Sequence, residues 1–330
     1  MIYSSHSPKI KRIPTRAVAL LLVCVLLASV LGMTACESPK KTQSDAVDAI
    51  RFTDALGREV SVAPNPSRVA ALIGSFADVW VLAGGRLCAA AEDAWEDFGL
   101  VQGDAVDLGG AHSPSLERLL SANPDFVLAS ASTAANVEMR ETLEQAGITV
   151  AYFDVDHFDD YLQMLKICTD ITGRADLYEQ NGLRLREQIE ACKKQYADRA
   201  LPEEERTVLL LRASASSLKA KGSNGTVLGE MLRDMGCVNL ADRDGSLLEN
   251  LSIESIIRED PKHIFVVTMG NDPAAAEASL ENYMKENPAW GTLSAVREGR
   301  LHQMERTLFH GKPNARWAQA YEILYETLTK

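Results

Sequence analysis

Two stretches decide how this chain folds: Ser115-Leu116-Glu117-Arg118-Leu119-Leu120-Ser121-Ala122-Asn123-Pro124-Asp125-Phe126-Val127 and Ser252-Ile253-Glu254-Ser255-Ile256-Ile257-Arg258-Glu259-Asp260-Pro261-Lys262-His263-Ile264. The second repeats the first at a constant offset of 137 residues. In each copy a serine placed to cap a helix precedes apolar residues at i, i+3 and i+4; a proline then ends the helix and a hydrophobic strand follows. Solenoid repeats run to about 50 residues, so a period this long predicts two similar lobes instead. Glu117 and Glu254 occupy the same place in the two copies, beside the apolar stripe rather than on it. One acidic point per lobe is what a bilobed protein needs to grip a two-fold symmetric partner.

Outward from the repeat, short aliphatic runs alternate with helical stretches. Strands are expected at Arg68–Leu72, Leu87–Ala91, Phe126–Ala129, Ile148–Phe153, Thr207–Leu211, Ile264–Val267 and Arg300–Gln303. Helices are expected at Asp78–Ala83, Leu116–Ser121, Ala134–Ala146, Val227–Met235, Ser252–Arg258, Ala274–Lys285 and Ala315–Leu328. Such alternation predicts an α/β fold of two Rossmann-like lobes, here residues 51–156 and 200–330, with a ligand cleft between them. The segment 157–199 is charged and rich in helix formers, and it keeps apolar residues at helical spacing around Thr172-Gly173-Arg174. It is expected to be one long, stiff helix bridging the lobes.

Residues 1–35 hold Lys9, Lys11, Arg12 and Arg16, no acid, and the apolar run Ala17–Leu31. That run has 15 residues, short of the roughly 20 that span a bilayer, and it reads as a signal peptide. Met33-Thr34-Ala35-Cys36 resembles a bacterial lipobox, with Met33 where an aliphatic residue is usual. The resemblance implies cleavage before Cys36, lipid on Cys36, a polar tether over residues 36–50, and a protein held on the extracytoplasmic face of the cell membrane by that anchor alone. Loss of the four leading cations takes the formal charge from −12 to −16, which excludes nucleic-acid binding by charge. Cys88, Cys168, Cys192 and Cys237 remain, in no C-x-x-C spacing, and are expected to be buried free thiols.

Several phrases, spread over nearly all of the mature chain, resemble the substrate-binding proteins of ABC importers for iron-siderophores, haem and cobalamin. They are Phe52-Thr53-Asp54-Ala55-Leu56-Gly57-Arg58-Glu59-Val60 with Pro66-Ser67-Arg68-Val69, Ser115–Leu128, Ile171-Thr172-Gly173-Arg174, Gly225–Gly236, Ser252–Val267, Trp290–Arg300 and Pro313-Asn314-Ala315-Arg316-Trp317. The resemblance implies a monomer that hands its cargo to a permease dimer with its ATPase. It also implies that Glu117 and Glu254 each meet arginines of one permease subunit. The alternative reading of each glutamate is a first-turn acid favoured by the helix dipole, worth about 0.3–1 kcal/mol.

Ligands of open α/β sheets sit beyond the carboxyl ends of the strands. The loops expected there offer Ser75, Trp95 and His112 from the first lobe and Arg212, Lys219, Lys221, Asn271, Arg306 and His310 from the second. An anionic ferric siderophore calls for clustered cations, which Arg212, Lys219, Lys221 and Arg306 supply. Haem calls for an axial group such as His112, His310 or Met269, and a corrinoid for walls such as Trp95 and Phe76. The cations rank the siderophore first. No metal-ligand spacing and no cofactor motif is present, so neither a resident metal nor a cofactor is expected. Ser216-Ser217-Leu218-Lys219 satisfies the S-x-x-K pattern of penicillin-binding acyl-enzymes but lacks the K-T-G and S-D-N partners. A surface lipoprotein without a transporter is a third class that fold alone does not exclude.

Overall fold

Every residue of Phe126-Val127-Leu128-Ala129-Ser130 is buried, and a strand buried on both sides needs cover on both. The computed structural model supplies it over residues 49–330 apart from Asn271. The signal segment 1–35, Cys36, the tether as far as residue 48, and the ligand candidate Asn271 lie outside the described residues.

Among the described residues twelve strands form one hairpin and two sheets: β1 (Ile50–Thr53), β2 (Glu59–Val62), β3 (Val69–Ala71), β4 (Leu87–Ala90), β5 (Val106–Asp107), β6 (Phe126–Ser130), β7 (Thr149–Phe153), β8 (Thr207–Ser214), β9 (Ser217–Lys221), β10 (Val238–Asn239), β11 (His263–Thr268) and β12 (Leu301–Met304). The first sheet runs β5-β4-β3-β6-β7, all parallel. The second runs β10-β8-β11-β12, parallel, with β9 antiparallel on β8. In each, the strand that enters first lies inside the sheet and the order reverses beside it, the doubly wound pattern expected from the alternation. The strand after each repeated phrase, β6 or β11, is the one that pairs with that first strand.

Alternate residues of both sheets serve different cores. Val69, Ala71, Phe126, Leu128, Ala151 and Phe153 of the first sheet join Val208, Leu210, Phe265 and Val267 of the second in one continuous cluster. That cluster passes through Tyr161, Leu165, Cys168, Ile189, Tyr196, Trp317, Tyr321 and Leu324 of the intervening helices. The opposite faces have private cores, around Leu72, Val127 and Tyr152 in one lobe and Leu211, Ile264 and Val266 in the other. The four cysteines among the described residues are free; Cys168, Cys192 and Cys237 are buried, whereas Cys88 is half-exposed. Among the described residues no helix is long and apolar enough to cross a membrane.

The segment 157–199 is not one helix. Phe158–Thr172 stops at Gly173, which takes a left-handed φ of 68°, and the chain turns back as Ala175–Tyr178, a π turn at Glu179–Leu183, and Arg184–Ala197. The two arms lie antiparallel. Asp159 pairs with Arg186 at 3.2 Å and the Tyr161 hydroxyl donates to Asn181 O at 2.7 Å. A Cβ on Gly182 would come 2.9 Å from the Leu162 Cδ2, so a larger residue there would make Leu162 shift. The first arm stays against helix Gly74–Leu82, while the second goes on to pack beside Trp317–Thr329. The expected helix Ala134–Ala146 is likewise two pieces, Ala134–Glu138 and Arg140–Gln145.

Asn314 ties the two halves together. It is fully buried at φ 50°, and its amide donates to Ser75 O and to Asp78 Oδ2, both at 2.8 Å. Burial raises the Asp78 carboxyl, opposed by that hydrogen bond and by Arg316. Asn314→Ala should therefore cost about 2–4 kcal/mol, from two lost bonds to buried groups and from a left-handed alanine. Asn314→Gly should recover the backbone part of that loss. Urea unfolding midpoints test both, and an unchanged midpoint for the alanine variant would remove Asn314 from this role.

Candidate functional site

The carboxyl edges of the two sheets face each other where Arg306 of the second lobe reaches 3.9 Å from Asp97 of the first. Ser75, Trp95 and His112 follow β3, β4 and β5, neighbours along one edge. The loop reading of two of them is corrected. Ser75 is buried in the first turn of helix Gly74–Leu82, and Trp95 lies on the single turn Asp93–Glu96. That first helix begins at an Ile73 cap with no capping side chain; the Asp93 carboxylate lies against the Gly74 amide instead. Burial raises the Asp93 carboxyl, opposed by that amide and reinforced by Asp97 and Glu92. His112 is exposed in a turn. The Trp95 Nε1 is buried without a partner.

The second lobe presents cations from structured elements, not from the loops expected. Arg212 is on β8, with Lys219 directly opposite it on β9 and Lys221 two pairs further, opposite Leu210. Directly opposed and alternate residues share one face of a sheet, so three cations stand together there. Arg306 opens the turn Arg306–Phe309, and His310 closes it. A recess lined by Leu210, Arg212, Lys221, Thr226, Phe309 and His310 lies among them. Ser216 falls in the turn between β8 and β9 and Lys219 on the strand after it. The Ser-x-x-Lys pattern is thus extended, without the one-turn helical spacing an acyl-enzyme uses.

The three cations of the β8–β9 face have no ion-pair partner among the described residues. Burial lowers the Arg212 guanidinium; burial, then Arg212 and Lys219, lower the Lys221 ammonium. The His310 ring falls to about 4 through burial and the nearby Arg212, Arg306 and Lys312. Among the described residues Arg212, Lys219, Lys221 and Lys312 form no ion pair, and Arg306 pairs with Asp97 alone. Lys312 escaped the sequence reading, which ended the segment at His310; burial lowers its ammonium, against the pull of Asp156, Asp154 and Asp160. Glu92, Asp93, Glu96 and Asp97 make the opposing first-lobe segment acidic, a run of which only Trp95 had been singled out. Chemically, cations placed this way can pair with an anion.

Two doubly wound lobes that share one core, with charged residues beyond the carboxyl ends of their strands, make the frame of a two-lobed solute-binding protein. The family model "Periplasmic binding protein" matches residues 69–307, and the chain belongs to that family. It is 25% identical over 308 residues to the Fe(3+)-citrate-binding protein YfmC of Bacillus subtilis, covering 88% of this chain and 91% of that one. It is 23% identical to YvrC, an ABC transporter substrate-binding lipoprotein of the same organism, over 88% of this chain and 89% of the relative. The structure of Staphylococcus aureus SirA complexed with staphyloferrin B superposes with a TM-score of 0.66 at 19% identity, covering 85% of this chain and 98% of that one.

The His310 environment has a pH signature. In the folded chain the ring takes up its proton only near pH 4, against 6.5 for its ordinary value, so the folded state binds fewer protons in between. Stability is therefore lost as pH falls from about 6.5 towards 4. His310→Gln should flatten part of this loss, leaving the share of His263, which is also lowered to about 4. Urea unfolding at pH 7, 5.5 and 4 measures it; an undiminished acid loss in the variant would contradict the cationic surroundings of His310.

Proposed function

We propose that this protein is the substrate-binding lipoprotein of an ABC importer, capturing an anionic ferric complex of the hydroxycarboxylate siderophore class and delivering it to a permease dimer with its ATPase. The observation that carries the ligand is the second-lobe face on which Arg212, Lys219 and Lys221 stand together without an ion-pair partner among the described residues, with Arg306 and His310 beside Arg212. A ligand bearing several carboxylates removes the mutual repulsion as it binds. The Fe(3+)-citrate named for YfmC and the staphyloferrin B held by SirA agree with that chemistry. His112 stands exposed and His310 stands among cations, so neither is favoured over the anion reading as an axial haem ligand. From the first lobe, Ser75, Trp95 and His112 border the ligand. The protein acts as a monomer, held by lipid on Cys36 at the extracytoplasmic membrane face.

Delivery uses Glu117 and Glu254. Their helices have the same build: Ser115 and Ser252 accept from the amide three residues on, each at 3.3 Å, with cap φ of −75° and −77°. Each helix ends beside a left-handed residue, Asn123 at φ 46° or Asp260 at φ 39°. Both glutamates are exposed, and among the described residues neither forms an ion pair. The duplication supports docking over a dipole effect alone, because a dipole needs no matched pair.

Two measurements test these parts separately. Ferric citrate and ferric hydroxycarboxylate siderophores should quench tryptophan fluorescence of the purified protein where haem and cobalamin do not. Arg212→Ala with Lys221→Ala should weaken that binding about a hundredfold or more. Equal binding of the anions by the double variant would refute the ligand site. Charge reversal at both Glu117 and Glu254 should abolish uptake by cells while leaving affinity in solution unchanged, and persisting uptake would refute the docking role.

A further inference from the structure

Large apolar side chains left exposed are few among the described residues: Val81, Val101, Leu120, Leu248, Ile257 and Met269. Leu120 is 36% exposed and Ile257 37%, and they stand at the same place in the two copies of the repeated phrase. Single exposed aliphatics are ordinary; a matched pair, each three residues after a matched glutamate, is not. The other exposed positions of these helices have diverged, Arg118 becoming Ser255 and Ser121 becoming Arg258. The glutamate and the aliphatic residue are what remain.

On a helix, residues three apart share a face, so Leu120 stands beside Glu117 and Ile257 beside Glu254. Leu119 and Ile256, fully buried, root each helix in its lobe. From that root an apolar strip runs outward through half-buried Leu116 or Ile253 to the exposed aliphatic and stops at the acid. The Ser cap and the left-handed stop hold both ends of the strip.

We infer that each lobe docks through a two-part patch, a carboxylate with an aliphatic side chain at its flank. The partner is a membrane protein that offers a cation next to an apolar pocket at two positions related by its own two-fold axis. The inference rests on the docking reading of Glu117 and Glu254. Charge complementarity selects this occupant: a second copy of a chain with formal charge −12 would add acid to acid, whereas a cationic pocket pairs the carboxylate and covers the aliphatic group together. The carboxylates steer encounter and fix register; the apolar halves slow dissociation.

The test uses the full mature protein and the permease–ATPase complex in lipid nanodiscs, with docking measured at low and high salt. Leu120→Gln with Ile257→Gln should weaken docking about tenfold or more at both salt concentrations, with the salt dependence retained. Glu117→Gln with Glu254→Gln should flatten the salt dependence. Ligand affinity in solution, unchanged in both pairs, shows that the lobes remain folded. Parental docking by the apolar pair while the glutamine pair at the acids fails means that the carboxylates act alone, and the two-part patch is wrong. Parental docking by the pair altered at the acids refutes the docking reading itself. A concentration-dependent dimer, lost in the apolar pair, makes a second copy the occupant and also overturns the inference.

Discussion

One constraint governs the rest of this structure: both sheets are buried on both faces, and one face of each drains into the same core. Phe126 and Leu128 from the first sheet and Leu210 and Phe265 from the second belong to one cluster with Tyr161, Ile189 and Trp317 between them. A lobe cannot rotate freely on its neighbour without uncovering part of that cluster, and apolar area returned to water costs roughly 25 cal/mol per Å². The antiparallel helical arms, the Asn314 tie and the packing of Arg184–Ala197 beside Trp317–Thr329 all serve this shared layer. Opening at the meeting edge beyond the strands therefore works against this shared layer.

Within that frame the charges are distributed unevenly. The second lobe concentrates Arg212, Lys219 and Lys221 on one strand-hairpin face, and the facing first-lobe run Glu92–Asp97 is acidic. Repulsion on one side and attraction across the gap, visible at Arg306 and Asp97, favour approach of the lobes without ligand. An anion entering there would compete for Arg306 and relieve the repulsion among the rest. Stability is given up locally so that a ligand can restore it, a familiar cost of a binding site.

Legibility in the sequence followed locality. Helix Leu116–Ser121 was read to its last residue because its cap, its apolar period and its terminating proline all lie within the quoted phrase. The start of helix Gly74–Leu82 was missed because its amide end is met by Asp93, from a distant segment. Strand β9 was taken for a loop since its turn, Ala215-Ser216, has neither Gly nor Asn to announce a hairpin. Gly173 is legible as an interruption, but the reversal of direction is not, because it rests on contacts between the two arms such as Tyr161 with Asn181 and Asp159 with Arg186. The cations of the site were found by type; their meeting on one face was not, because it follows from the register of β9 on β8.

The shared core also sets how the molecule comes apart. Topology divides it into two lobes of similar plan, yet the residues that seal one face of each sheet are contributed by the other lobe and by helices that serve both. Free energy is thus not divisible where the chain is. Loss of the Trp317–Thr329 helix, or of either sheet, strips the cover from the remainder, so the lobes melt as one cooperative unit and a lobe made alone is an exposed hydrophobic surface.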